Sequence, residues 1–361
     1  MKKYLAFTLI LAIVLSLLTL AGCNKAGSNK FELALVTDLG TIDDKSFNQG
    51  SWEGLKAYAE DHDLKYQYYQ PAEGTNAAYL EAIDLAIKGG AKVVVTPGFL
   101  FEVPIYEAQK IHPETMFILI DGEPHNEDYS DYNTESNVLN VLYAEQEAGF
   151  FAGYAAVKDG FTKLGFQGGM AVPAVIRYGY GFLQGADAAA KELGLGKDSI
   201  EVRYNYSGDF DATPENQARA AGWYADGTEI IFACGGSVGN SVMTAAEAST
   251  DKWVIGVDVD QYNESETVIS SAMKMLGHSV YMALESFYDN KWEGGTTWRL
   301  DSTNDGVGLA MENAKWRTFS DNDYSQLFEA VKSGKYEIND DTTVDVVDLQ
   351  FDCVKVIPVS D

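Results

Sequence analysis

The sequence contains few cysteines, few histidines and few basic residues. Its 361 residues include three cysteines, four histidines and 26 lysines and arginines, against 54 aspartates and glutamates. Such scattered cysteines and histidines offer neither a disulfide framework nor the spacing of zinc ligands. We therefore expect no metal site. The formal net charge of −28 repels phosphate backbones, so we also expect no nucleic-acid partner.

Residues 1–22 predict an export signal. A pair of lysines precedes an apolar tract, Leu5 to Leu20, of 16 residues, whereas a membrane-spanning helix needs about 20. The tract ends in Leu20-Ala21-Gly22-Cys23, which resembles a bacterial lipobox, where cleavage leaves the cysteine as a diacylated N-terminus. An ordinary signal peptide with an incidental cysteine is the alternative.

Cleavage before Cys23 would leave a lipid-anchored chain. Two or more acyl chains hold a soluble body at a membrane surface, and the small and polar residues 23–30 would form its tether. We therefore expect an extracytoplasmic protein, anchored to the bacterial cell membrane through the lipid on Cys23.

Beyond residue 30, short apolar runs bounded by glycine alternate with helical segments, a pattern that predicts parallel strands with crossovers. The predicted strands are 31–37, 92–98, 116–121, 163–169, 229–236 and 253–258, and the predicted helices are 46–61, 103–112 and 143–157. We therefore expect an α/β fold with two Rossmann-like lobes, 31–152 and 153–361, and chain crossings between them near the C-terminal part. Ligands of such folds lie beyond the carboxyl ends of the strands, here in a cleft between the lobes.

Three aspartates directly follow apolar runs, at Asp38, Asp121 and Asp258. One aspartate in such a place is usually a helix cap or a turn former, but three at equivalent places indicate a shared role. Ionised carboxylates accept hydrogen bonds from hydroxyl and ring N–H groups, and they repel phosphate or sulfate. The cleft is therefore predicted to hold a polyhydroxylated or N–H-bearing ligand.

The loop of residues 37–50 joins the first predicted strand to the first predicted helix. Either Asp44 or Ser46 can cap that helix, which places Phe47 and Asn48 in its first turn at the mouth of the cleft. Phe47 is either a packed core residue or a stacking surface for a planar ring, and the Asn48 amide can read a base edge. A second stacking ring could come from Phe210 or Phe232.

Several motifs resemble the basic membrane protein family, and they occur in order over nearly the whole chain after the leader. Members of that family are solute-binding lipoproteins of ABC importers with a type I periplasmic-binding-protein-like fold. The matching segments are Asp38 to Asn48, Gly165 to Met170 with Val172, Pro173 and Arg177, Gly235 and Gly236 with Gly239, Gly256 to Gln261, Ser270 to Lys274, and Asp305 to Leu309. Two segments depart from the family pattern. Residues 171–180 lack the family's acidic residue and paired basic sequence, and the loop 235–239 differs from its alanine-glycine-glycine form, which leaves ligand choice open.

The characterised members of that family bind purine nucleosides between two lobes, so the resemblance implies a ligand of the inosine, guanosine or adenosine class and an ABC permease and ATPase as partners. It implies stacking on Phe47, base-edge contacts from Asn48 and Asp121, ribose contacts from Asp258, Lys274 and the Gly235-Gly236 backbone, and Asp38 close by. Without the resemblance, Lys274 would be taken for a surface lysine. Ligand capture would proceed by hinge closure of the two lobes.

An enzyme is the rival hypothesis, because a nucleosidase would also place aspartates around a ribose, and a ligand sensor could use the same fold. The sequence has no Asp-x-Asp-x-x-x-Asp-Asp cluster, no glycine-rich phosphate signature and no histidine in a promising loop. Cys234 lies in an apolar run that predicts a buried residue rather than a nucleophile. Residues 339–345 predict a solvated acidic loop rather than a calcium site. We therefore expect binding without catalysis and without a cofactor.

Overall fold

The computed structural model describes residues 30–359, so the predicted signal peptide and Cys23 lie outside the described residues. Within that range the chain forms thirteen strands and nine α-helices. The strands are β1 (Leu33–Val36), β2 (Tyr66–Tyr69), β3 (Val93–Pro97), β4 (Met116–Ile120), β5 (Val138–Tyr143), β6 (Lys163–Gly168), β7 (Ile200–Tyr206), β8 (Ile230–Cys234), β9 (Trp253–Asp258), β10 (Val268–Lys274), β11 (Thr296–Leu300), β12 (Val307–Leu309) and β13 (Val354–Pro358). The helices are α1 (Phe47–Asp61), α2 (Asn76–Gly89), α3 (Glu102–Ile111), α4 (Glu145–Lys158), α5 (Pro173–Glu192), α6 (Pro214–Ala225), α7 (Val238–Glu247), α8 (Leu276–Tyr288) and α9 (Asp321–Lys332).

The strands form two sheets, and the predicted α/β architecture is confirmed. The first sheet has the order β11-β5-β4-β3-β1-β2, and all of its strand pairs are parallel. The second has the order β12-β10-β9-β8-β6-β7-β13, in which only the β10–β12 pair is antiparallel. The inner strands β1, β3, β8 and β9 are almost wholly buried apolar runs, as expected for sheets covered by helices on both faces.

We call the first sheet with its helices the first lobe, and the second sheet with its helices the second lobe. The chain passes from one sheet to the other three times, after β5, after β10 and after β11. The predicted division between residues 152 and 153 falls inside α4, whose residues are buried around almost the whole helix. This helix packs against α5 and against β10 and β12 of the second sheet, so the passage between the lobes lies before it, near Tyr143.

No helix within residues 30–359 combines the length and the apolar character needed to cross a bilayer.

Candidate ligand-binding site

A cavity between the lobes lies at the carboxyl ends of strands from both sheets. It holds about 680 Å³ of space between protein atoms, part of it open to solvent. All nine residues proposed from the sequence as ligand contacts line it: Asp38, Phe47, Asn48, Asp121, Phe210, Gly235, Gly236, Asp258 and Lys274. They follow β1, β4, β7, β8, β9 and β10 or begin α1, so the parallel topology of both sheets brings them together.

Asp44 is the side chain that caps α1. Its carboxylate accepts hydrogen bonds from the backbone N–H groups of Ser46, Asn48 and Gln49 at 2.9, 2.9 and 3.1 Å. These donors would otherwise lack partners in the first helical turn, and the carboxylate also complements the positive end of the helix dipole. Ser46 is left free to donate to another acceptor, Oδ2 of Asp258 in the second lobe, at 2.5 Å.

The Asn48 side chain is fully engaged inside the protein. Its Nδ2 donates to Asp38 Oδ1 at 2.8 Å and to Asp44 Oδ2 at 3.0 Å, and its Oδ1 accepts from the Asp38 N–H at 3.3 Å. A carboxamide has two N–H hydrogens, so both are already used by carboxylates. In this geometry Asn48 fixes the orientation of Asp38 while still lining the cavity.

The two lobes each contribute an aromatic ring to the cavity wall. Phe47 begins α1 in the first lobe, and Phe210 lies in the loop after β7 in the second; both are half-buried. Phe210 packs so closely on Gly169 that a Cβ atom there would come within 2.5 Å of its ring. Phe232, the other candidate for the second ring, is completely buried in the core against Phe166 and Tyr178.

Asp121 and Asp258 occupy equivalent places in the two lobes. Asp121 follows β4 and Asp258 ends β9, and both adopt left-handed backbone conformations, with φ of 60° and 67°. Non-glycine residues rarely adopt such angles, and aspartate tolerates them better than most. At these two strand ends the backbone turns sharply, and both carboxylates line the cavity.

Lys274 sits in a buried charged cluster. Its ammonium contacts the Asp121 carboxylate of the first lobe and lies 2.9 Å from Glu145 Oε1, while Glu145 Oε2 accepts from Arg177 Nε at 2.6 Å. Burial would lower the pKa of Lys274, but Asp121 and Glu145 outweigh it and raise that pKa. Burial raises the pKa of Asp121, opposed by Lys274, and its Oδ1 has no hydrogen-bond partner among the described residues.

The remaining cavity carboxylates are also shifted. Burial raises the pKa of Asp38 to about 6, although hydrogen bonds from Asn48 and the Gly40 N–H oppose the change. Burial likewise raises the pKa values of Asp44 and Asp258, which Lys274 and Ser46 counteract at Asp258. The cavity therefore concentrates hydrogen-bond acceptors, with Lys274 as the cationic side chain in its wall.

Further polar contacts join the lobes beside the cavity. Besides the Ser46–Asp258 bond, Gln261 Nε2 donates to the Lys45 carbonyl at 2.7 Å, and Lys45 Nζ lies 3.6 Å from Glu264 Oε2. Because Ser46 and Lys45 precede α1 and the other three groups follow β9 or end it, these contacts tie one strand-end loop of each lobe together.

Two features of the wall bear on catalysis. Residues Gly235 to Gly239 form a Gly-x-Ser-x-Gly pattern that runs from the end of β8 into the first residues of α7, as in hydrolase nucleophile elbows. Such elbows are strained, whereas Ser237 has ordinary helical angles, with φ of −67°, and no histidine within residues 30–359 lines the cavity. Cys234 is buried and free, as predicted, and burial raises its thiol pKa well above the usual range, which disfavours the thiolate.

Several apolar lining residues were not expected from the sequence: Phe99, Leu100, Val172, Ala174, Val175 and Tyr178. Phe99 and Leu100 follow the end of β3, the same kind of place as Asp38 and Asp121, so their position was a usable signal. Tyr178 lies in the second turn of α5, where only the packing of α5 over the second sheet brings it to the cavity.

The acidic stretch 339–345 lies away from the cavity. It is a mostly exposed loop, tied to α5 because Gln184 exchanges hydrogen bonds with the Asn339 backbone at 2.8 and 2.9 Å. Over the described range, no group of three or more histidine, cysteine, aspartate or glutamate side chains is arranged to hold a metal ion.

Two lobes of largely parallel sheet, three chain crossings and a cavity at the facing strand ends define the two-lobed type I periplasmic-binding fold. A solved structure of an ABC transporter solute-binding protein from Aeropyrum pernix K1 has this fold, with a TM-score of 0.72 at 21% identity, covering 86% of this chain and 94% of that one. A sequence model of the Bmp family, described as ABC transporter substrate-binding protein PnrA-like, matches residues 31–342. The chain therefore belongs to the Bmp family of ABC transporter substrate-binding proteins, which confirms the predicted family.

Curated relatives resemble the chain over nearly its whole length. The "ABC transporter nucleoside-binding protein BmpA" of Lactococcus lactis subsp. cremoris (strain MG1363) is 30% identical, covering 94% of this chain and 98% of its own. "Basic membrane protein D" of Borreliella burgdorferi (strain JD1) is 29% identical and covers 94% of each chain.

Proposed function

We propose that this substrate-binding protein captures a nucleoside, with a purine base, in its interlobe cavity and delivers it to an ABC permease driven by an ATPase. One observation carries the proposal: aromatic rings from both lobes, Phe47 and Phe210, share one cavity with several carboxylates. A ring face suits a planar base, and carboxylates suit sugar hydroxyls and base N–H groups. The nucleoside-binding relative in Lactococcus lactis supports the same ligand class.

The charge of the cavity favours a nucleoside over a nucleotide. Asp38, Asp44, Asp121 and Asp258 line it together with one lysine, and a ligand phosphate would meet this acidic surface at close range. Electrostatic repulsion of that kind costs several kcal/mol where water is partly excluded. A neutral ligand rich in donors avoids the cost.

We assign the individual roles as follows. Phe47 and Phe210 stack on the base, Asp38 and the free Oδ1 of Asp121 accept from its N–H groups, and Asp258, Lys274 and the Gly235-Gly236 backbone contact the ribose. Asn48, whose amide hydrogens are both bound to carboxylates, holds Asp38 in place rather than reading the base itself.

Catalysis is the less favoured alternative. Among the described residues that line the cavity, no nucleophile lies beside a base. Ser237 is unstrained, no histidine lines the cavity, and Cys234 is buried. The family's members are substrate-binding proteins. A sensor that reports ligand occupancy to a receptor would use the same cavity, and genes for a permease and an ATPase beside this one would favour import.

The experiment is a calorimetric titration with inosine, guanosine and adenosine, with guanosine 5′-monophosphate as the charged comparison. We expect nucleoside binding, no binding of the nucleotide, and unchanged nucleoside on chromatography afterwards. Phe47→Ala and Phe210→Ala should each weaken binding by about 1–3 kcal/mol, the usual contribution of base stacking.

Tyr68→Ala is the matched control, because Tyr68 is an exposed aromatic residue on β2 outside the cavity. It should bind like the wild type. Release of free base would establish catalysis instead, and wild-type affinity in both phenylalanine variants would exclude the proposed stacking site.

We further propose that Cys23 carries the lipid that anchors the protein outside the cytoplasm. The lipobox-like sequence before it supports this proposal. Cells fed labelled palmitate should incorporate it into the wild type but not into Cys23→Ala, and that variant should leave the membrane fraction. A Cys23→Ala protein that stays equally membrane-bound would refute the anchor.

A further inference from the structure

Glu145 and Arg177 form a buried ion pair immediately behind Lys274. Neither residue lines the cavity, and the nucleoside-binding roles proposed above do not use them. The Glu145 side chain is completely buried at the start of α4, and Arg177 projects from the parallel helix α5, with a side chain 19% exposed. A buried charge is costly unless it is paired, so this pair and the lysine beside it form one unit.

Glu145 divides its two oxygens between the two cations. Oε1 lies 2.9 Å from Lys274 Nζ, and Oε2 accepts from Arg177 Nε at 2.6 Å. Burial alone would raise the pKa of Glu145, but Arg177 and Lys274 outweigh it and lower the pKa to about 2. The two cations therefore favour the ionised form of Glu145, which supplies the counter-charge for Lys274.

The Lys274 ammonium is confined on several other sides. It lies 5.1 to 5.4 Å from the centroids of three rings, Phe47, Tyr143 and Tyr178, at cation–π distance. An ammonium has three N–H donors. Among the described residues, the ammonium donates a hydrogen bond to Asp121 and lies at ion-pair distance from Glu145, so at least one N–H remains for a group inside the cavity that Lys274 lines.

We propose that Glu145, itself held by Arg177, is a positioning residue that aims the free N–H of Lys274 at a sugar hydroxyl of the bound ligand. This inference rests on the proposed nucleoside function. Without the Glu145 charge, Lys274 would be drawn toward Asp121 and Asp258, the other carboxylates that act on it. The ligand would then lose one hydroxyl contact, although no residue touching it had changed.

The test combines a protein variant with a ligand variant. Glu145→Gln keeps the shape of the side chain and removes its charge, and 2′,3′-dideoxyinosine lacks both ribose hydroxyls of inosine. We expect Glu145→Gln to weaken inosine binding on the order of 10- to 100-fold, as for loss of a hydrogen bond to a charged group. It should weaken dideoxyinosine binding by less than threefold, because the contact that Glu145 positions is already missing.

Glu147→Gln is the matched control. Glu147 lies in the same helical turn, accepts from the Ser302 N–H at 2.8 Å and does not line the cavity, so both ligands should bind it as they bind the wild type.

If Glu145→Gln does not fold, as judged by circular dichroism, Arg177→Met takes its place. That variant should show the same dependence on the hydroxyls with a smaller loss, because Glu145 is then held by Lys274 alone.

The outcomes separate this inference from the function on which it rests. Equal losses for inosine and dideoxyinosine would mean that the pair is merely structural, and unchanged inosine binding in the glutamine variant would remove Glu145 from the site. Either result overturns the inference while the proposed function stands. A wild type that binds no nucleoside overturns both.

Discussion

At the residue scale, Asp38 shows how a carboxylate is oriented to accept a hydrogen bond from a ligand. Its Oδ1 receives the Gly40 N–H at 2.8 Å and the Asn48 amide at 2.8 Å, which fixes the plane of the carboxylate. Burial, and to a smaller extent the neighbouring charges of Asp44 and Asp258, raises the pKa of Asp38 to about 6. The carboxyl is therefore poised to titrate just below neutral pH.

This pKa predicts a pH-dependent affinity. A ligand N–H or O–H binds the ionised form, and at pH 5 only about a tenth of a group with a pKa near 6 is ionised. Nucleoside binding should thus be about tenfold weaker at pH 5 than at pH 8, measured by titration across that range. Asp38→Asn should bind more weakly at pH 8 and lose part of the pH dependence, because Asp121, whose pKa burial raises to about 7, also titrates in this range. A variant that keeps the full wild-type slope would show that Asp38 is not a titrating acceptor.

The raised pKa of Asp38 also makes the stability of the fold depend on pH, in the opposite direction to ligand binding. The native state holds the Asp38 proton more tightly than the unfolded chain, in which the pKa of this carboxyl is 3.8. Its contribution to stability is complete below about pH 3.8 and is lost as the pH rises through about 6. Above that pH, ionised Asp38 no longer contributes this stability to the fold, but it is the ionised carboxylate that accepts the ligand's hydrogen bond.

How far the sequence predicts the site differs from residue to residue. Asp38, Asp121 and Asp258 were visible because a strand-end position in a parallel sheet is readable from the chain alone. The Asn48 hydrogen bonds were not, because they depend on how the loop folds back on Asp38 over ten residues. Arg177 was visible only as part of a family motif and Glu145 not at all, and their pairing gave no signal, since it spans 32 residues and exists only where α4 and α5 meet.

At the element scale, α4 and α5 pack with their backbones nearly touching. Each carries two glycines four residues apart, Gly149 and Gly153 in α4 and Gly181 and Gly185 in α5. A Cβ atom at any of these positions would lie 2.0 to 2.1 Å from a carbonyl oxygen of the other helix. This contact brings the start of α4, with Glu145, beside Arg177 and so supports the cavity wall from behind.

That packing predicts a sharp difference between two glycine-to-alanine changes. In Gly185→Ala, the new methyl would meet the Phe150 carbonyl at 2.0 Å, so the helices must separate. We expect a loss of about 1–3 kcal/mol in the free energy of unfolding, measured by urea denaturation.

Gly222→Ala in α6 is the control, because nothing lies within 4 Å of the position that its Cβ would take. Alanine there should leave stability unchanged or raise it by about 0.5–1 kcal/mol, the usual gain over glycine in a helix. Equal stability of Gly185→Ala and the wild type would contradict the close approach of α4 and α5.

How well a strand could be predicted from the sequence depends on whether a continuous apolar run marks it. Buried strands such as β3, β4 and β9 lie within one residue of their predicted bounds, because continuous apolar runs mark them. Seven strands were not expected. β2, β11, β12 and β13 are short strands at sheet edges, which only pairing with a neighbour defines. The inner strands β5, β7 and β10 were missed because polar residues interrupt their apolar runs.

At the scale of the whole molecule, two lobes share one cavity and the chain crosses between their sheets three times. Lys274 ends β10 directly before one crossing, and Glu145 follows β5 directly after another. The charged cluster therefore adjoins two of the three chain crossings. A ligand held by Phe47 and Asp38 on one side and by Asp258 and Lys274 on the other would favour the closed arrangement because it contacts both lobes.

A crystal structure of the protein grown with inosine would test the proposed binding site. We expect the base between the rings of Phe47 and Phe210 and the ribose hydroxyls within hydrogen-bonding distance of Asp258 and Lys274. Inosine bound outside this cavity, or a different co-purified solute there with neither a planar ring nor sugar hydroxyls, would contradict it.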